Sequence, residues 1–131
     1  MRTRLVGAVL TVGSLALALG IRFARGSILD SDNPLNQVSG TILYASAVYG
    51  GALFLLPRAR PLVLAALATG FCWAVEFFQL TGLPADWSAH STLARLVLGA
   101  HFDPADLGWY LAGVLPAALL HRWTSRSRST A

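Results

Sequence analysis

Two carboxylates set within apolar sequence are the groups in this chain best able to do chemistry. Glu76 stands in CWAVEFFQL and Asp106 in FDPADLGWY. A bare carboxylate inside a membrane is costly, ~2.5 to 3.5 kcal/mol for an aspartate at the centre of a span and less near its ends, so each needs a proton, a counter-charge or a ligand. Gln79 follows Glu76 by three positions and shares its helix face. Asp103, Asp106 and Tyr110 are spaced three and four apart, which strings them along one helical stripe that Gly113 continues inward. At Gly113 a small residue would let the carboxylate-bearing helices approach closely. Arg95 lies between the two segments and is the natural counter-ion, its planar guanidinium able to bridge both carboxylates. Glu76, Gln79, Arg95, Asp103, Asp106 and Tyr110 therefore form the candidate ligand-binding set. Such groups would recognise a polar lipid headgroup, a peptide or a proton. The competing reading is that they only clamp two helices and a connecting loop.

Other reactive residues point to no reaction. His90 and His101 match no metal-ligand spacing and read as solvated loop histidines. Ser88 and Ser91 flank His90 without a nucleophile elbow. A hydrolase using Glu76 or Asp106 as general base would need a raised pKa and a substrate in hydrogen-bond reach, and it ranks behind a binding role. No metal or cofactor is implied. Cys72, a lone cysteine in an apolar run, cannot close an intrachain disulfide and reads as a buried small residue.

The elements that must hold these groups follow from hydropathy. Of the 131 residues 55% are apolar and only 12% charged, with mean hydropathy +0.58, too few charges to coat a soluble domain. The apolar residues fall in long blocks. A net charge of +4 would suggest nucleic acid in a soluble protein, but all ten lysine-or-arginine positions are arginines, mostly in pairs flanking apolar blocks, and nothing interleaves aromatics with charge as a base-stacking surface would.

Residues 5–21 carry no charge and approach the ~20 needed to cross a ~30 Å hydrocarbon core. The stretch also resembles a signal peptide, with Ala16-Leu17-Ala18 as a cleavage pattern, yet Arg22 and Arg25 just beyond favour an uncleaved helix. The polar segment 26–37 is a turn-rich loop. A second span covers 38–56 and ends at Pro57-Arg58-Ala59-Arg60-Pro61, a tight connection that makes its neighbours antiparallel. The third covers 61–80. Residues 81–103 form the longest connection, where Leu93, Leu96 and Val97 fit a short interfacial helix. The fourth span starts at Asp103-Pro104, an N-cap followed by a first-turn proline, and runs to about 122 or 123.

The expected fold is all-α: one domain over 1–123, an integral membrane bundle of four transmembrane helices with a short interfacial helix between the third and fourth, and a disordered basic tail at 124–131. Trp73, Trp87, Trp109 and Trp123 read as interfacial anchors. Seven arginines (Arg2, Arg4, Arg58, Arg60, Arg122, Arg126, Arg128) fall on one side against Arg22, Arg25 and Arg95 on the other, which places both termini in the cytoplasm.

Four short patterns occur in order: E-x-x-Q at Glu76 and Gln79, R-x-x-L-G at Arg95 to Gly99, F-D-x-x-D at Phe102 to Asp106, and Y-x-x-G at Tyr110 to Gly113. With the preceding GTILYASAVY, they resemble the bacterial membrane family called domain of unknown function 2809, from about Gly26 to Trp123. A looser resemblance is to VanZ-like proteins, named for teicoplanin resistance. These resemblances imply a common four-helix scaffold and supply no reaction. Relatives often carry aspartate after the glycine that opens the second span. Thr41 stands there in this chain, so no proton or cation role is carried over to it.

The expected function is accordingly that of a bacterial inner-membrane protein binding a lipid-linked or glycopeptide-like headgroup at an outer-leaflet pocket. Its expected partners are membrane lipids and further copies or subunits, not nucleic acid. The rival is an accessory subunit of a larger membrane complex, packing through small residues such as Gly50, Gly51 and Gly70.

Overall fold

The computed structural model describes residues 2–24, 34–99 and 102–129, and every regular element among them is helical. The helices are α1 (Arg2–Ala24), α2 (Pro34–Leu55), α3 (Pro61–Phe78) closed by a 3-10 turn (Gln79–Thr81), α4 (Leu83–His90), α5 (Thr92–Leu98) and α6 (Pro104–Ser129). Most of the predicted 26–37 loop, together with Arg25 and His101, lies outside the described residues.

Helix boundaries follow from local chemistry. Pro61 opens α3 behind Arg60, whose extended backbone cannot continue the preceding helix. α3 tightens into its 3-10 turn and stops at Gly82, which takes φ +80°, a conformation natural to glycine, and donates its N–H to the Gln79 carbonyl at 3.2 Å. Asp103 caps α6, its Oδ1 accepting the Ala105 N–H at 2.9 Å, with Pro104 in the first turn.

Three expectations need correction. The connection between α3 and α6 holds two short helices rather than one, because Ser91 turns extended and caps α5 by accepting the Ala94 N–H at 3.2 Å. α6 continues through the segment expected to be disordered, as far as Ser129. No proline or glycine interrupts that stretch, and Thr124 and Ser127 turn their hydroxyls back onto the carbonyls of His121 and Trp123. Gly113 meets α2 rather than α3: a Cβ built there would press on Ala45 and Ile42. The residue lies about 100° round the helix from Val114, on the flank of the buried stripe that faces α2.

α2 is the centre of the bundle, with α1 against one side and α3 and α6 against the other. At the α1–α2 crossing a Cβ on Gly50 would come within 2.7 Å of the Gly7 carbonyl, so the backbones touch where only glycine fits. Thr11 locks the contact by donating to the Ala47 carbonyl at 3.2 Å. Gly50 is thus occupied inside the chain and not free for a partner, whereas Gly70 faces open space. The core is built from stripes at three- and four-residue spacing: Ala45, Tyr49 and Leu53 on α2, Leu64, Ala68 and Cys72 on α3, and Tyr110, Val114 and Ala117 on α6. Cys72 is a buried free thiol, as expected.

The outward faces are apolar as well. Leu5, Val9 and Val12 on α1, Leu62, Leu67 and Phe71 on α3, and Leu111, Leu115 and Leu119 on α6 are all exposed. Apolar surface both inside and outside is what a bundle solvated by lipid requires. Three spans, Arg2–Ile21, Gln37–Leu55 and Pro61–Thr81, are long and apolar enough to cross a membrane, and the chain reads as a helical membrane protein.

Candidate functional site

The antiparallel order brings the start of α2, the end of α3 and the start of α6 to one end of the bundle, and there the polar residues converge. Glu76 is fully buried. Its Oε1 accepts the backbone N–H of Asp103 at 2.7 Å and its Oε2 the Tyr110 hydroxyl at 2.8 Å. Asp103 also accepts the Gln37 side-chain amide at 2.9 Å. Asp106, itself buried, shares the one hydroxyl hydrogen of Thr41 with the Gln37 carbonyl, at 3.3 and 2.8 Å from the hydroxyl oxygen. Tyr44 packs its ring on Tyr110, centroids 6.3 Å apart. Three carboxylates on two helices are thus joined to α2 by a continuous hydrogen-bonded network.

Of the six expected site residues, Glu76, Asp103, Asp106 and Tyr110 come together. Arg95 does not join them: it is exposed on α5 and pairs with no carboxylate among the described residues. The expected Arg95 bridge is replaced because the start of α6 delivers a peptide N–H and a phenol straight onto Glu76. Gln79 also turns aside, since α3 ends at Phe78. Its Nε2 donates to the Leu98 carbonyl and lies where a side chain on Gly99 would, while its Oε1 is buried with no hydrogen-bond partner. Gly99 has φ +68°, and its carbonyl accepts the Ser88 hydroxyl at 2.9 Å. Gln79 and Ser88 therefore tie the α4–α5 segment beside the carboxylate end.

Gln37 and Thr41 are network members that spacing arguments on α3 and α6 did not find. Their signal was present, a polar pair four residues apart at the head of an apolar helix. A second polar contact escaped as well. At the opposite end of the bundle the buried Tyr49 hydroxyl lies 2.8 Å from His121 Nδ1. Ser46 donates to the Gly113 carbonyl at 2.8 Å, so hydrogen bonds run the length of the α2–α6 seam. Among the tryptophans, Trp73 donates its indole N–H to the Leu107 carbonyl at 3.1 Å and Trp87 packs on Phe78.

Among the described residues no group of histidine, cysteine and carboxylate side chains could hold a metal ion. His90 is exposed at the end of α4, and Ser88 and Ser91 serve backbone groups rather than one another. The arrangement can fix helices and present carboxyl oxygens, and among the described residues it brings together no nucleophile with a base.

No solved structure matches this chain. A family model, described as a protein of unknown function and named DUF2809, matches residues 31–114, which hold the whole carboxylate network together with Gln79 and Arg95. That match covers well over half of the sequence, and the chain belongs to the DUF2809 family.

Proposed function

We propose that the chain is a four-span protein of the bacterial inner membrane, both termini cytoplasmic, that holds a lipid-linked or glycopeptide-like headgroup at the carboxylate end of its bundle. α6 is the fourth span: its 26 residues reach ~39 Å at 1.5 Å per residue, and its outward face is leucine. α4 and α5 lie along the outer interface. The arginine distribution sets the orientation.

One observation carries the binding role. Three carboxylates meet at this end, and the groups that donate to them among the described residues are all neutral: peptide N–H, phenol, hydroxyl and amide. So many acceptor oxygens with no counter-ion among those residues favour a ligand rich in ammonium or hydroxyl donors, as amino sugars and peptide amines are. Gln79 Oε1, buried without a partner, is a further acceptor for such a group. Glu76 is fully buried and acts by positioning α6, whereas Asp103, only half-buried, and its neighbour Asp106 are the contacts to ligand. Arg95, exposed beside them in sequence, meets an acidic substituent. A VanZ-like envelope role fits this chemistry.

The test is native mass spectrometry of protein gently extracted from its own membrane. A headgroup-bearing adduct present in wild type and lost in Asp106→Asn and Arg95→Met supports the proposal. A bare, stable wild type overturns it.

A second reading is favoured by the complete engagement of Glu76 within the chain. The network would then be a helix clamp in an accessory subunit of a larger complex. On that reading Glu76→Gln changes thermal stability and leaves the bound mass unchanged, and the protein copurifies with other subunits.

A further inference from the structure

The end of the bundle opposite the carboxylates gathers arginine from three separate parts of the chain. The α1–α2 crossing sets Gly7 against Phe54, so the start of α1 lies beside the end of α2. The contact of Tyr49 with His121 brings the later turns of α6 to the same level. Arg2 and Arg4 of α1, Arg58 and Arg60 of the α2–α3 turn, and Arg122 and Arg126 of α6 thereby share one rim, and all six are exposed. The described acidic residues, Glu76, Asp86, Asp103 and Asp106, all belong to the other end, and none pairs with these arginines.

Apolar surface adjoins the charge. Leu55, Leu62, Leu119 and Trp123 are 74%, 82%, 65% and 68% exposed, each within three residues of a rim arginine. A free phosphate or a nucleic acid would engage the guanidinium groups and leave these side chains bare. An amphiphile with a phosphate head and acyl chains covers both, because guanidinium forks match phosphate oxygens and the leucines lie along the chains.

We infer that this arginine rim is a docking site for anionic phospholipid of the leaflet at that end. It is independent of the headgroup site at the carboxylate end and rests only on the chain being a membrane protein. Each arginine close to an anionic leaflet is worth up to about fivefold in association.

The experiment reconstitutes the full-length protein in phosphatidylcholine vesicles and compares, by electron paramagnetic resonance, how strongly spin-labelled phosphatidylglycerol and spin-labelled phosphatidylcholine associate with it. Wild type is expected to favour phosphatidylglycerol several-fold. Arg58→Gln/Arg60→Gln is expected to lose most of that preference, and Ala89→Glu/Thr92→Glu, which lowers the net charge by the same two units at the other end, to keep it. All four positions are exposed, and circular dichroism verifies the fold of each variant. Equal association of the two lipids with wild type would overturn the inference. So would a preference that the rim variant retains, or one that Ala89→Glu/Thr92→Glu lowers equally, since that would reflect net charge rather than the rim.

Discussion

The Tyr110 hydroxyl donates to Glu76 Oε2 at 2.8 Å between two buried side chains on neighbouring helices, while the other oxygen of the same carboxylate holds the backbone of Asp103. One side chain of α3 therefore fixes both the start of α6 and its second turn. The grip is directional, since it uses a phenol and a peptide N–H rather than a cation that could approach from many angles.

Removing the phenol should leave a buried acceptor unmet. Tyr110→Phe is expected to destabilise the protein by about 1–3 kcal/mol, measured by denaturant or thermal unfolding in detergent micelles. Tyr110→Phe combined with Glu76→Leu should cost less than the sum of the two single changes. Strict additivity would show that the pair does not interact.

The glycines separate cleanly by environment. Gly50→Ala places a Cβ 2.7 Å from the Gly7 carbonyl and from the Thr11 backbone nitrogen, so α1 must move, at about 1–3 kcal/mol. Gly70→Ala meets nothing within 4 Å and should be neutral or stabilising by up to about 1 kcal/mol, the helix preference for alanine. Unfolding curves of the two variants in the same micelles test the contrast.

Tyr49 and His121 offer a second double-mutant cycle at the opposite end. The 2.8 Å contact between buried rings predicts a coupling of roughly 0.5–3 kcal/mol between Tyr49→Phe and His121→Leu. A coupling near zero in the unfolding free energies would remove this contact from the account of stability.

Asp103 serves two neighbours at once through separate oxygens, capping α6 with Oδ1 and accepting Gln37 with Oδ2. Asp103→Asn preserves a capping acceptor and should cost a few tenths of a kcal/mol at the cap, whereas Asp103→Ala should cost about 1 kcal/mol there and more once Gln37 loses its acceptor. If the two variants unfold alike, the cap contributes nothing.

Much of this is legible in the sequence. Pro61 at the start of α3, Asp103-Pro104 at the start of α6 and the uncharged run of α1 are local signals, and the helices begin within a few residues of where those signals put them. Glu76, Asp106 and Tyr110 were legible because ionisable residues in apolar sequence are few and their helical spacing is informative. What escaped was relational. Nothing in the spacing of Arg95 shows that it faces outward, nor in Gly113 that its partner is α2, because both depend on the rotation of one helix against another. Gln37, Thr41, Tyr49 and His121 look ordinary alone and acquire meaning only when α2 and α6 are laid side by side. The continuation of α6 to Ser129 was hidden by a serine- and arginine-rich composition that suggests solvation more readily than helix.

The hydrogen bonds along the α2–α6 seam carry a consequence for biogenesis. Gln37 with Asp103, Thr41 with Asp106, Ser46 with Gly113 and Tyr49 with His121 join residues 65 to 72 positions apart, whereas the glycine contact between α1 and α2 joins neighbours in the order of synthesis. The first hairpin can therefore form while the rest of the chain is still on the ribosome, but the polar edge of α2 has no mate until α6 has been made. During that interval α2 must shelter four polar side chains against α3, against an insertase or in the aqueous mouth of a translocon. Arrival of α6 both completes the seam and dismisses whatever held the unfinished edge.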